Sequence, residues 1–347
     1  MGLLHLFSVA MLAFGALTAP CHASDVGVRQ IMAPSKARGI NLDVTVWYPA
    51  GSGGAPVTLG ESAFFKGTPA MRDAPIADGK FPLILLSHGA GLGGNPQVLN
   101  WLAAPLAKKG FIVAAPTHPR NSGPNRSVVE TIKLWLRPSD LTDTLNAVEK
   151  NSFFKAHLQG DKVGALGLSM GGGTVLTIAG ARMVPQRLAS YCDTDELNPS
   201  FCGWVRDSGV DLHSMDFSAA GGDYEDKRIR FVMALDPTPI DVFDIRSFSK
   251  ISIPVELINM GQPGKLLVST DASKITKAIP EATYVAVKDA SHYSLLPECK
   301  PGAAELAESE KIGDPICSDG GGVRNEIHAQ LIDMVVAAFS RGLKAGR

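Results

Sequence analysis

Residues 163–173 read VGALGLSMGGG, and this stretch decides the fold class of the 347-residue chain. Its first half is apolar and predicts a buried strand, and the residues that follow predict a helix over 174–183. Gly167, Ser169 and Gly171 therefore form a G-x-S-x-G motif on a turn from strand to helix. The residues around the serine have to be small, because the strand and the helix approach each other closely at such a turn. Ser169 is the candidate nucleophile.

Apolar strands and helices alternate through the rest of the chain. The predicted strands are 81–87, 111–115, 163–168, 231–235, 255–260 and 283–287. The predicted helices are 98–108, 127–136, 139–150, 174–183 and an amphipathic C-terminal helix that presents Ile327, Leu331, Val335 and Phe339 on one face. This alternation predicts an α/β fold, with a mostly parallel central sheet covered by helices on both faces.

Several segments lie outside this alternation. Residues 26–32 and 40–50 predict an antiparallel hairpin at the edge of the sheet, and residues 51–80, rich in Gly, Ala and Pro, predict a surface excursion. Ser139 is placed to cap the helix that follows it. Residues 181–230 contain no strong period and predict an insertion, a candidate cap, between the helix after Ser169 and the next strand.

The N-terminus predicts export. An apolar run ends in Cys21-His22-Ala23, a small-x-small pattern that signal peptidases cleave, so we predict a signal peptide over 1–23 and one domain over 24–347. An uncleaved membrane anchor is the alternative. No later segment is apolar for the ~20 residues of a membrane-spanning helix, so no integral membrane segment is predicted in the mature chain. A net charge of −1 gives no electrostatic reason for nucleic acid as a partner.

The remaining cysteines are Cys192, Cys202, Cys299 and Cys317. An even number in an oxidising compartment predicts disulfides, and four cysteines allow three pairings. The local pairing, Cys192 with Cys202 and Cys299 with Cys317, is preferred. The spacings lack the C-x-x-C pattern of zinc sites, so no metal is predicted.

A serine nucleophile needs a general base and an acid that orients it. In folds with this elbow the chain order is serine, acid, histidine. His292 is the histidine that lies late in the chain on a loop after a strand. Asp236 ends the predicted strand 231–235 and precedes Pro237, which turns its side chain to the carboxyl edge of the sheet. Asp236 is the preferred acid; the alternatives left open are Asp241, Asp244 and Asp271.

The glycine-rich turn ILLSHGAGLGG, residues 84–94, has two interpretations. It fits the G-x-G-x-x-G spacing of a dinucleotide-binding loop, but the next strand ends at His118 without the acid that would hold a ribose. Its His-Gly start is typical of oxyanion loops in serine hydrolases. We therefore predict that the N–H groups of Ala90 and Met170 bind an oxyanion. No cofactor is predicted.

Five stretches carry a family resemblance. They are FPLILLSHGAGLGG, LAKKGFIVAAPTHPR, VGALGLSMGGG, FVMALDPTP and DASHYSLL. Over residues 40–300 the chain resembles the bacterial dienelactone-hydrolase-like proteins of the α/β-hydrolase superfamily, which are related to the platelet-activating factor acetylhydrolases. The resemblance implies an α/β-hydrolase fold and ester hydrolysis without a cofactor, and it supports Asp236 as the acid. The chain departs from dienelactone hydrolases in having Ser169 instead of a cysteine, and Gly264 stands where many relatives have an aspartate.

Together these observations predict an exported serine hydrolase, periplasmic or secreted, that cleaves small-molecule or lipid-like carboxylic esters. Ser169 attacks, His292 transfers protons and Asp236 orients His292. The alternatives are a serine amidase or peptidase on the same fold, and a non-catalytic binding protein that keeps the fold.

Overall fold

The computed structural model describes residues 25–123 and 125–343; the predicted signal peptide, 1–23, lies outside them. The strands are β1 (Asp25–Ser35), β2 (Ile40–Ala50), β3 (Ala55–Leu59), β4 (Thr68–Arg72), β5 (Phe81–Ser87), β6 (Ile112–Pro116), β7 (Leu158–Leu168), β8 (Ile229–Leu235), β9 (Val255–Met260) and β10 (Ala282–Val287). The helices are α1 (Asn100–Lys108), α2 (Val128–Ile132), α3 (Leu136–Lys150), α4 (Met170–Ile178), α5 (Pro185–Ala189), α6 (Pro199–Ser208), α7 (Ser273–Thr276), α8 (Ala303–Ser309) and α9 (Arg324–Gly342).

The described strands form one ten-stranded sheet in the order β10-β9-β8-β7-β5-β6-β2-β1-β4-β3. Strands β5 to β10 pair in parallel, and β2 pairs antiparallel with both β1 and β6. The predicted α/β class with a mostly parallel sheet is confirmed. In such a sheet the carboxyl ends of β5, β7 and β8 lie at one edge, which brings together the turns that carry the candidate site.

Hydrophobic cores lie on both faces of the sheet. Along β5, Leu83 and Leu85 pack into the core that α3 and α4 cover, whereas Ile84 and Leu86 pack into the core that α1 and α9 cover. Alternate side chains of a strand point to opposite faces, so a strand covered on both sides is apolar throughout. This explains the continuous apolar runs in the sequence.

The prediction for residues 51–80 was incomplete. Strands β3 and β4 lie in this segment and pair antiparallel with each other. β4 also pairs in parallel with β1, where Gly27 and Val28 lie opposite Met71 and Arg72. The β1–β2 hairpin is therefore present but does not form the sheet edge, because the free side of β1 accepts this added hairpin.

Three predicted helices have the wrong boundaries. The helix predicted over 174–183 begins at Met170, directly after the serine turn, and ends at Ile178. The helix predicted over 127–136 is only the short α2, whose first turn Ser127 caps by accepting a bond from the N–H of Glu130 at 3.4 Å. The helix predicted to begin after Ser139 begins at Leu136, so Ser139 lies inside its first turn and does not cap it. Pro138 is tolerated there because the first-turn N–H groups of a helix have no intrahelical acceptor.

The predicted insertion is present between α4 and β8, and it contains the short helices α5 and α6. Its cysteines, Cys192 and Cys202, lie at disulfide distance with Cα atoms 5.1 Å apart. Cys299 and Cys317 lie at disulfide distance as well, with Cα atoms 5.9 Å apart. Both pairs fit the predicted local pairing. We call Cys192 and Cys202 the insertion pair, and Cys299 and Cys317 the C-terminal pair.

Within the described ranges, no helix combines the length and apolar character needed to cross a bilayer.

Candidate active site

Ser169 lies on a strained turn between β7 and α4. Its φ of +57° is in the left-handed region, which non-glycine residues rarely occupy. Its N–H donates to the carbonyl of Leu235 at 3.0 Å, and its own carbonyl accepts from Thr238 at 3.1 Å. A Cβ on Gly167 would overlap the carbonyl of Gly171. These contacts explain both the strain and the small residues of the motif.

A continuous hydrogen-bonded chain joins three of the predicted site residues. The Oγ atom of Ser169 lies 3.0 Å from Nε2 of His292, and Nδ1 of His292 lies 2.6 Å from Oδ2 of Asp236. Ser169 and His292 are partly exposed, whereas Asp236 is only 1% exposed. A substrate can therefore reach the serine and the imidazole, and the carboxylate is shielded behind them.

Asp236 is fixed on both of its oxygens. It follows β8 with a φ of +46°, and its Oδ1 atom accepts from the N–H of Met260 at 2.9 Å and from Nδ2 of Asn259 at 2.7 Å. Asn259 is fully buried and also donates to the carbonyl of Thr270 at 2.7 Å. Sequence reasoning missed Asn259, although an amide inside the apolar strand 255–260 was an available signal. The bonds from Asn259 and Met260 hold Oδ1 of Asp236 and leave its Oδ2 atom to face His292.

The three alternative acids have other partners or positions. Asp271 accepts bonds from Ser273, and Asp244 pairs with Arg246 at 3.1 Å. Among the residues that the structure describes, none of the three hydrogen-bonds to His292, and the geometry favours Asp236. Gly264 lies in the loop after β9 with a φ of +84°, a conformation that suits glycine and strains an aspartate.

The predicted oxyanion loop passes directly beside the nucleophile. A Cβ built on Gly89 would lie 3.5 Å from Oγ of Ser169, so the backbone of the loop is in contact range of the serine. Ala90 follows Gly89, and Met170 is the first residue of α4 after Ser169. An N–H at the start of a helix lies at the positive end of its dipole. The arrangement can therefore direct two N–H groups to an oxygen that gains charge during attack by Ser169.

Comparisons with known proteins bear on the fold that carries this site. Residues 62–133 match the family described as platelet-activating factor acetylhydrolase, isoform II. The structure is similar to a ferulic acid esterase from Streptomyces cinnamoneus, with a TM-score of 0.62, 17% identity, and coverage of 95% of this chain and 93% of that one. The chain therefore has the fold of the α/β-hydrolases.

A second solved structure has the same fold. It is the acylaminoacyl peptidase from Pyrococcus horikoshii, with a TM-score of 0.50 and 9% identity; the match covers 93% of this chain and 43% of that one. At these identities the likeness concerns the fold alone. The comparison with curated proteins finds no match.

The loop that carries His292 is held from several sides. The Oγ atom of Ser294 donates to Asp319 at 2.8 Å, and Asp319 pairs with Arg324 at 2.6 Å. The hydroxyl of Tyr293 donates to Asp314 at 2.8 Å. Burial and the nearby Asp314 carboxylate raise the pKa of Tyr293, so it stays a neutral donor. The position of His292 is thereby set by the C-terminal segment as well as by β10.

The insertion reaches the same segment. The hydroxyl of Ser200, in the first turn of α6, donates to Oδ2 of Asp314 at 3.1 Å. Asp314 therefore links the insertion to Tyr293, the neighbour of His292. Ser200 lies within the loop closed by the insertion pair, and Asp314 lies within the loop closed by the C-terminal pair.

A second hydrogen-bonded chain of serine, histidine and aspartate lies in the core of the protein. The Oγ atom of Ser87 lies 2.9 Å from Nε2 of His118, and Nδ1 of His118 lies 2.8 Å from Oδ2 of Asp140. All three residues are fully buried. Burial lowers the pKa of His118 well below its ordinary value. No motif in the sequence indicated this cluster. Its geometry repeats that of the exposed chain, but burial leaves a substrate no access to it.

Among residues 25–123 and 125–343, no group of His, Cys, Asp and Glu side chains is arranged to hold a metal ion.

Proposed function

We propose that this α/β-hydrolase is an exported serine esterase that cleaves small-molecule or lipid-like carboxylic esters. The observation that carries the proposal is the chain from Ser169 through His292 to Asp236, with bonds of 3.0 and 2.6 Å and its serine accessible at a strained turn. A serine hydroxyl becomes an effective nucleophile only beside a base that is itself oriented by a third group.

In the proposed reaction, Oγ of Ser169 attacks the ester carbonyl carbon while Nε2 of His292 takes the hydroxyl proton. The carbonyl oxygen becomes an anion and accepts bonds from the N–H groups of Ala90 and Met170. One such donor lowers the barrier by about 3–4 kcal/mol in comparable sites. When the tetrahedral intermediate collapses, the C–O bond to the alcohol breaks and His292 gives its proton to the leaving oxygen.

The second half of the cycle repeats these steps with water. His292 takes a proton from a water molecule as it attacks the acyl-enzyme, and returns that proton to Oγ of Ser169 when the acid leaves. Asp236 stabilises the imidazolium form of His292.

Esters are favoured over amides by the matched family, whose description names an acetylhydrolase. The ferulic acid esterase shows that this fold occurs in an enzyme named for ester cleavage. The peptidase with this fold makes amide hydrolysis the alternative that the first experiment has to separate.

The experiment is hydrolysis of p-nitrophenyl esters from acetate to decanoate, with the matching p-nitroanilides as amide controls. We expect ester turnover in the wild type and loss of that turnover in Ser169→Ala. Faster cleavage of the anilides would favour the amidase. Equal ester turnover in wild type and Ser169→Ala would refute the serine mechanism.

Export is supported by the two cysteine pairs at disulfide distance and by the small-x-small site at Ala23. In a bacterial host that exports proteins, intact-mass measurement should find a chain beginning at Ser24. A chain that keeps residues 1–23 in the membrane fraction would indicate an uncleaved anchor instead.

A further inference from the structure

The guanidinium of Arg137, in the first turn of α3, lies in the core with only 1% of the residue exposed. Its donors reach three different segments of the chain. Nε donates to Oγ1 of Thr174 at 2.9 Å, Nη1 donates to Oδ1 of Asn121 at 2.8 Å, and Nη2 donates to the carbonyl of His88. Only the planar fork of an arginine can bind three acceptors in these directions at once.

Each acceptor leads to one of the two predicted oxyanion donors. The Oγ1 atom of Thr174 donates to the carbonyl of Met170 at 3.0 Å and so fixes the first turn of α4. The carbonyl of Asn121 accepts from the N–H of Gly91 at 2.9 Å, on the far side of Ala90 from His88. Arg137 therefore holds the Ala90 loop on both sides, at His88 directly and at Gly91 through Asn121. It also holds the first turn of α4, at Met170, through Thr174.

Stability alone does not explain a charge at this position. Within the described residues no carboxylate forms an ion pair with Arg137, and the nearby Asp140 is bound by Arg38 at 2.7 Å. Burial lowers the pKa of Arg137 to about 9, which records the cost of the buried charge. A buried charge that no carboxylate pairs carries a desolvation cost that an apolar side chain would not. A role in the site gives a reason for the arginine.

We propose that Arg137 is the positioning residue of the oxyanion site, fixing the N–H groups of Ala90 and Met170 relative to each other. This inference rests on the proposed function. Donors of an oxyanion site act only when they lie within hydrogen-bond distance of the oxygen that becomes charged. A displacement near 1 Å is enough to lower the rate about 10²-fold. The effect falls on the transition state and therefore on kcat.

The test compares an aryl ester with its thionoester, in which C=S replaces C=O. A sulfur anion is larger and a weaker acceptor, so it gains less from fixed N–H donors. For Arg137→Met and Arg137→Lys we expect kcat on the ester to fall about 10²-fold and about 10-fold, respectively, with little change in KM. The ratio of kcat/KM for the ester to kcat/KM for the thionoester should fall as well. Equal losses on both substrates would assign Arg137 a structural role only.

A second variant leaves the guanidinium in place. Thr174→Val removes the bonds to Arg137 and to the Met170 carbonyl at nearly constant side-chain volume. Thr177→Val is its matched control, because Thr177 lies on the same helix, is buried, and makes the corresponding bond to the Gly173 carbonyl at 2.9 Å. We expect the substrate ratio to fall in Thr174→Val and to stay at the wild-type value in Thr177→Val.

The two proposals fail differently. Wild-type protein without ester turnover would refute the proposed function and the role of Arg137 with it. Normal wild-type turnover with an unchanged substrate ratio in Thr174→Val and in both Arg137 variants would refute only the role of Arg137. Circular dichroism of each variant checks that it is folded when the kinetics are measured.

Discussion

The Nδ1 atom of His292 lies 2.6 Å from the Oδ2 atom of Asp236, a residue 56 positions earlier in the chain. The carboxylate is buried and bound on its other oxygen by Met260 and Asn259, so its orientation is set by β9. In the proposed reaction, this bond would hold a proton on Nδ1 of His292 and leave Nε2 to accept the proton of Ser169.

Asp236→Asn should therefore lower kcat for ester hydrolysis by about 10⁴-fold, with a small change in KM, because an amide at this position favours the wrong tautomer of His292. Steady-state kinetics on a p-nitrophenyl ester measures the effect. Asp271→Asn is the control, since Asp271 is the alternative acid in the next loop and bonds only locally to Ser273. A loss confined to Asp271→Asn would move the acid to that loop.

The exposed and buried serine–histidine–aspartate chains should differ in reactivity. A fluorophosphonate probe should label Ser169, which is partly exposed, and leave the fully buried Ser87 unmodified. Ser169→Ala should abolish labelling. Ser87→Ala should still be labelled, although it loses about 1–3 kcal/mol of stability because Nε2 of His118 loses its partner. Loss of labelling in Ser87→Ala, with labelling kept in Ser169→Ala, would assign the nucleophile to the buried chain.

The C-terminal cysteine pair should support both stability and activity. A disulfide between Cys299 and Cys317, 18 positions apart, is expected to contribute about 3 kcal/mol. Replacing both by alanine should lower the free energy of unfolding by that amount in urea titrations. It should also lower kcat, because the closed segment carries Asp314, which binds Tyr293 beside His292.

The insertion pair provides the comparison for that experiment. A disulfide between Cys192 and Cys202 closes a shorter loop, 10 positions against 18, and its double alanine variant should show a stability loss of the same order. Its effect on kcat should be smaller, since its link to Tyr293 runs through Ser200 and Asp314. Double variants of both pairs with wild-type stability would mean that neither disulfide forms.

The loss of folding stability at acidic pH should depend on His328. This residue is 5% exposed and stacks on Trp101 with ring centroids 3.6 Å apart, and burial lowers its pKa to about 4. The unfolded chain binds a proton at this position below about pH 6.5 and the folded chain only near pH 4. The free energy of unfolding therefore falls as pH decreases between these values.

His328→Gln should reduce this dependence. Between pH 7 and pH 5 its free energy of unfolding should fall by about 1–2 kcal/mol less than that of the wild type, as measured by urea titration at each pH. At pH 7 the variant is expected to be less stable, because glutamine does not stack on Trp101 as imidazole does. The same acid dependence in both proteins would show that His328 does not titrate on unfolding.

Local signals predicted the elements of the site better than their boundaries. The G-x-S-x-G turn, the late loop with His292 and the His-Gly loop were all visible because each is a short pattern with a local physical cause. The start of α3 at Leu136 was missed because Ser139 has the composition of a cap, while tertiary burial of Arg137 favours an earlier helix start. The hairpin β3–β4 was missed because its strands are short and are stabilised by pairing with β1.

The sequence by itself determined the fold class and the candidate nucleophile, since apolar periodicity and a glycine-flanked serine express constraints between near neighbours. The sequence favoured Asp236 as the acid, because it ends a buried strand before a proline, and left Asp241, Asp244 and Asp271 open. Tertiary structure decided which of them faces His292, because that depends on where the sheet directs each side chain. It also decided that Asn259 and Arg137 contact the site. Their partners are distant in the chain, and no local pattern records a hydrogen bond formed between segments that only the packed sheet brings together.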